Sequence, residues 1–149
     1  MPAAERLPRV LFLCTGNSCR SQMAEGWARA LLSDRLEAHS AGTRPHGLNP
    51  LAVRAMREAG VDISGHRSKR PDEIEGGFDL VVTVCGDADA SCPAFPAARV
   101  VHVGFDDPPR LAANAATDDE ALPHYRRVRD EIRAFVASIE TLLAQDAAR

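Results

Sequence analysis

The chain has 149 residues, of which 45% are hydrophobic and 26% charged, enough apolar material for one compact domain with a single buried core. A net charge of -3 supplies no basic field for nucleic acid or an anionic membrane, and this excludes both as expected partners. The apolar run Val10-Leu11-Phe12-Leu13 is too short for a secretion signal and no stretch has the length of a membrane span, so a cytoplasmic protein is expected.

In chain order, Arg9 to Leu13 reads as a buried strand. From Ser21 to Leu36 the residues Ala24, Trp27, Ala28, Leu31 and Leu32 recur at helical spacing, with Trp27 on the core face. Glu37 to Ala41, closed by Gly42, reads as a second strand. Asn49-Pro50 then has the form of an N-cap with proline in the first turn, opening a helix over Pro50 to Ala59 that Gly60 ends. Phe78 to Val84 and Arg99 to Val103 are almost continuously apolar and β-rich, as in strands buried on both faces in the middle of a parallel sheet. From Asp118 onward Leu122, Tyr125, Val128, Ile132, Phe135, Val136, Ile139, Leu142 and Leu143 trace one face of a long closing helix. Arg126, Arg127, Asp130 and Arg133 lie opposite, and Arg126, Arg127 and Arg129 read as a solvated face. This order implies one α/β domain over residues 1–149, a central, mostly parallel four-stranded sheet flanked by helices, with functional loops at the carboxyl ends of the strands. Cys14, Cys85 and the stretch from Gly104 all fall in such loops.

Four cysteines in a reducing compartment point to reactive or metal-bound thiols rather than to a structural disulfide framework. The segment Cys14-Thr15-Gly16-Asn17-Ser18-Cys19-Arg20-Ser21 lies between the first strand and the first helix, where backbone N–H groups and a helix N-terminus converge on an anion. Gly16 can take a positive φ without steric cost, and Asn17 tolerates the left-handed region better than most residues. Arg20 adds a guanidinium fork suited to two oxygens of a tetrahedral anion. The helix terminus, the arginine and the Ser21 hydroxyl favour thiolate over thiol at Cys14, which makes it a nucleophile. Cys14 and Cys19 also have zinc-finger spacing. Against zinc, Cys85 and Cys92 are too far apart for a second half-site, and Arg20 would set a cation beside the metal. Cys85 could be a plain core thiol, but Cys92 follows it on the same functional edge. Asp107 precedes Pro108 after the fourth strand, with Asp106 as its local rival and a simple Asp-Pro turn as the bland alternative. His39, His46, His66, His102 and His124 show no ligand spacing and are expected to be structural.

The cysteine, five residues, arginine, serine pattern resembles the catalytic loop of the low-molecular-weight protein tyrosine phosphatases and of the arsenate reductases that share their fold. Cys14 to Gly26, Ser40-Ala-Gly-Thr43, Gly47-Leu-Asn-Pro50, Ile63-Ser64, Asp79 to Thr83 and Gly104-Phe-Asp-Asp-Pro108 resemble the thioredoxin-coupled arsenate reductases closely. The resemblance implies that Thr15, Gly16, Asn17, Ser18, Cys19, Arg20 and Ser21 hold arsenate. It further implies that Cys14 attacks arsenic, that a disulfide passes from Cys14–Cys85 to Cys85–Cys92, and that thioredoxin then reduces it. Asp107 takes the general-acid position, and Cys19 has no assigned role. No tightly bound cofactor is implied, and a monomer is expected. Some relatives hold potassium with counterparts of Asn17, Glu25 and Ser40 and a downstream acid. Lys69 stands at that acidic position here, which puts potassium in doubt and offers its own charge instead. Phosphatases follow the Asp-Pro pair with aromatic residues that grip a phenyl ring, whereas Pro109 and Arg110 follow here. A phosphatase acting on phosphotyrosine or a small phosphate ester is the alternative.

Overall fold

The structure, a computed structural model, describes residues 6–84, 95 and 98–147. Strands β1 (Arg9–Cys14), β2 (Glu37–Gly42), β3 (Leu80–Thr83) and β4 (Arg99–His102) form one sheet in the order β2-β1-β3-β4, with every pairing parallel. Val10, Leu11, Phe12 and Leu13 are each fully buried, as a central strand covered on both faces requires. The chain leaves β1 to form β2 on one side and returns as β3 on the other. The carboxyl end of β1 is therefore the topological switch point of the sheet, and Cys14 occupies it.

β3 is buried throughout, as expected from its composition, but β4 is not. It is the edge strand, its exposure alternates, and Val100 is 36% exposed. The apolar run at 99–103 reflects one covered face and one open face. On the covered face Arg99 Nη1 donates to Leu142 O at 3.0 Å.

Helix α1 (Arg20–Leu32) buries Met23, Ala24, Trp27, Ala28 and Leu32, whereas Leu31 lies on the open side. The helix ends four residues before the predicted Leu36. Leu36 is buried all the same, in a turn where its N–H and that of Arg35 both donate to Leu32 O. Its apolarity reports burial, not helical phase. Helix α2 (Pro50–Glu58) begins at the predicted cap: Asn49 Oδ1 accepts from Leu51 N at 2.8 Å and from Ala52 N at 3.2 Å. Beyond its end Gly60 turns the chain at a φ of 89°. Short α3 (Pro108–Leu111) follows β4, and then α4 (Asp118–Ala137), capped by Thr117 Oγ1 on Glu120 N at 3.2 Å.

The predicted single closing helix breaks at Ser138, whose Oγ donates to Phe135 O at 2.7 Å, and resumes as α5 (Ile139–Ala147). Leu122, Tyr125, Val128, Ile132 and Val136 of α4 are buried in the common core, and the helix packs on α1 and α2. Trp27 Nε1 donates to Arg129 O at 3.1 Å, and the Arg133 guanidinium lies 5.2 Å from the centre of its ring. The arginine cluster is not the uniformly solvated face expected. Arg129 is largely buried and donates to Ala55 O at 2.9 Å. Among the described residues no helix is long and apolar enough to cross a membrane.

Candidate active site

Cys14 ends β1 and is 4% exposed. Its sulfur accepts from Asn17 N at 3.2 Å and lies 2.8 Å from Ser21 Oγ. That hydroxyl also accepts from Asn17 Nδ2 at 2.8 Å, which leaves its own proton to point at sulfur. Both contacts favour negative charge on Cys14. Asn17 adopts the left-handed conformation, φ 48°, and is completely buried. Its Oδ1 accepts from Gln22 Nε2 at 3.1 Å and from Lys69 N at 2.9 Å. One side chain thus ties the loop to α1 and to the segment before the 3₁₀ turn at Pro71–Glu73. Ser68 Oγ adds a bond to Gly16 O at 2.9 Å.

Gly16 is needed for its lack of a side chain rather than for its conformational freedom. It does not use positive φ; a Cβ there would overlap the His46 imidazole. The ladder of β1 and β2 continues into this wall, with Thr43 N on Cys14 O, Arg44 N on Thr15 O and His46 N on Gly16 O. Gly42 approaches so closely that a Cβ would lie 2.5 Å from Thr15 O and 2.7 Å from Asn17 N.

At the far end of the loop Arg20 opens α1, whose N-cap Cys19 makes no side-chain cap, so first-turn N–H groups are directed at whatever enters the loop. Arg20 is mostly buried. Its Nη1 donates to Phe105 O at 2.9 Å, and its Nη2 is 3.6 Å from Asp107 Oδ1. The geometry separates the two aspartates that sequence left as rivals: Asp107 faces Arg20, whereas Asp106 pairs outward with Arg127 at 2.9 Å.

Behind the loop, Glu25 is a buried carboxylate. It accepts from Ser40 Oγ at 2.5 Å and from Arg29 Nε at 2.7 Å, with Lys69 Nζ 4.0 Å away. Burial pushes the Lys69 ammonium below its ordinary pKa while Glu25 pulls it back up. His66 Nδ1 meets Gln22 Oε1 at 3.0 Å, and burial lowers the pKa of this imidazole as well. The oxygens around Asn17, Glu25 and Ser40 do not fit a potassium ion. Lys69 Nζ, held at 3.0 Å from Arg67 O, already supplies positive charge there, and Asn17 Oδ1 is taken by two donors. Among the described residues no three His, Cys, Asp or Glu side chains are grouped to hold a metal.

Cys19 is buried, and desolvation pushes its thiol pKa far up, with Arg20 opposing only in part. It is a poor thiolate. Cys85 and Cys92 lie outside the described residues. Sequence reasoning assigned no loop-holding role to Gln22 or Ser68, read His66 as structural without its partner Gln22, and read Arg127 as solvated although it reaches Asp106. Spacing along the chain carries no signal for the contacts of Ser68, His66 and Arg127, whose partners lie far away in sequence.

The low molecular weight phosphotyrosine protein phosphatase family matches residues 9–148. The arsenate reductase of Bacillus subtilis is 53% identical over 125 residues, 83% of this chain and 88% of that protein. A solved arsenate reductase in the phosphate binding state superposes with a TM-score of 0.75 at 30% identity, covering 93% of this chain and 98% of that one. A thioredoxin-dependent arsenate reductase of Corynebacterium glutamicum superposes at 0.63 with 26% identity, over 93% of this chain and 65% of that one. With the Cys14 loop, the Arg20 guanidinium and the Asp107-Pro108 turn assembled at the switch point of a parallel sheet, this chain belongs to the low molecular weight phosphotyrosine protein phosphatase family.

Proposed function

We propose that the protein reduces arsenate to arsenite in the cytoplasm and draws its electrons from thioredoxin. The observation that supports this most is the Cys14 sulfur held by Ser21 Oγ and Asn17 N, with Arg20 and Asp107 at the other end of the same loop. An oxyanion is cradled by the loop amides and gripped by Arg20. The Cys14 thiolate attacks arsenic, and an oxygen leaves as water with a proton from Asp107. Cys85 then attacks the Cys14 sulfur. The electron pair of the sulfur–arsenic bond stays on arsenic, so As(V) becomes As(III) and two thiols become one disulfide. Attack of Cys92 on Cys85 frees the Cys14 thiolate and moves the disulfide to Cys85–Cys92. The thioredoxin dithiol reduces it by the same exchange, which closes a two-electron cycle. Relatives named arsenate reductase at this identity, and a thioredoxin-dependent structural neighbour, support the choice over hydrolysis of a phosphate ester.

The test is thioredoxin oxidation by the purified full chain with and without arsenate, with arsenite measured directly. Stoichiometric arsenite and oxidised thioredoxin are expected. Release of phosphate from phenyl phosphate with no arsenate-dependent thiol oxidation would establish the phosphatase alternative.

A further inference from the structure

Three consecutive residues of the loop after β4 are held from two different helices. Phe105 O accepts from Arg20 of α1, and the Phe105 ring meets Phe135 of α4 edge-on with centroids 6.0 Å apart. Asp106 Oδ2 accepts from Arg127 Nη2 of α4 at 2.9 Å, and Arg127 Nη1 is braced by Glu131 at 2.8 Å. Asp107, in extended backbone with φ -92° and ψ 104°, faces Arg20. In extended chain neighbouring side chains point to opposite sides. Holding Asp106 outward on α4 therefore holds Asp107 inward on the anion loop.

From this we infer that Arg127 is a positioning residue for the proton donor: its ion pair with Asp106 fixes the loop rotation that presents Asp107. The inference rests on the acid role proposed above for Asp107. The two neighbouring arginines provide its control. Arg126 pairs with Glu58 of α2 at 2.8 Å and does not reach the loop, and Arg129 is spent on Ala55 O. An exposed ion pair adds little to global stability. Its effect here falls on a local equilibrium between presented and withdrawn acid, in which a small bias changes rate directly.

The experiment measures single-turnover arsenite release from the pre-reduced full chain, so that thioredoxin does not limit the rate. Arg127→Gln is expected to slow release about 2- to 5-fold without changing its dependence on arsenate concentration. Arg126→Gln is expected to leave the rate unchanged. In an Asp107→Asn background, Arg127→Gln should cause no further loss, because a positioning residue has nothing left to position. Hydrogen exchange over residues 104–112 should be faster in Arg127→Gln, a readout independent of activity. An equal rate loss in both backgrounds, or an unchanged rate with unchanged exchange, overturns the inference. A wild type that releases no arsenite refutes the reductase reading instead, and the exchange result then decides alone whether Arg127 holds this loop.

Discussion

Ser21 Oγ stands 2.8 Å from the Cys14 sulfur while receiving a hydrogen bond of the same length from Asn17 Nδ2, so the hydroxyl is oriented as a donor to that sulfur. A hydrogen bond to a charged group contributes about 1.5 kcal/mol or more, which corresponds to roughly tenfold in the population of the charged form. Ser21→Ala is therefore expected to slow alkylation of Cys14 by iodoacetamide at neutral pH about tenfold, with the fold retained. Alkylation at the wild-type rate would remove Ser21 from the activation of the thiol.

Asp107 and Asp106 face opposite ways, and their substitutions should separate accordingly. Asp107→Asn is expected to slow formation of the arsenic adduct by roughly 10²–10⁴-fold, the usual contribution of a general acid. Asp106→Asn should lose no more than Arg127→Gln, since both break the same ion pair. Rapid-quench measurement of the first turnover distinguishes them, and equal losses would unseat Asp107 as the donor.

The proposed relay assigns each thiol a separate task. After one equivalent of arsenate, peptide mapping of the wild type should show Cys85–Cys92, whereas Cys92→Ser should release arsenite once and trap Cys14–Cys85. Cys19→Ala should keep the complete cycle, because burial holds that thiol protonated. A dominant Cys14–Cys19 bridge would move the relay into the loop itself.

At the opposite edge of the sheet the pH dependence is one of stability. His39 and Arg9 both bond to the Glu37 carboxylate, in that order of effect, and lower its pKa from 4.5 to about 2. A depressed carboxylate stabilises the fold above its unfolded pKa and loses that contribution as pH falls toward the folded value. Glu37→Gln should therefore lower the urea midpoint at pH 6, and the difference from wild type should fade between pH 4.5 and about 2. The effect is small because the carboxylate is half exposed and screened. A difference that persists undiminished at pH 2 would contradict the assignment.

The strand, loop and helix around Cys14 were legible because local chemistry dictates them: an apolar run, an asparagine that tolerates the left-handed region, then an arginine opening a helix; the need for Gly16 was not, since it comes from His46. The cap at Asn49 was legible for the same reason. The exposed face of β4 was not, since apolar content does not reveal whether a strand is central or at an edge. The break at Ser138 also escaped, because the apolar face runs on through it. Composition could not choose between Asp106 and Asp107. The choice depends on Arg20 and Arg127, two residues distant in sequence that the fold brings to either side of one loop.

The approach of Gly42 to Thr15 O and Asn17 N has a consequence at the level of genetics. The last residue of β2 touches no substrate in the proposed mechanism, yet any side chain there must displace the backbone that shapes the anion cradle. A selection for lost arsenate tolerance should then recover alleles at codon 42 alongside those in the loop, with protein that accumulates normally and binds inorganic phosphate poorly.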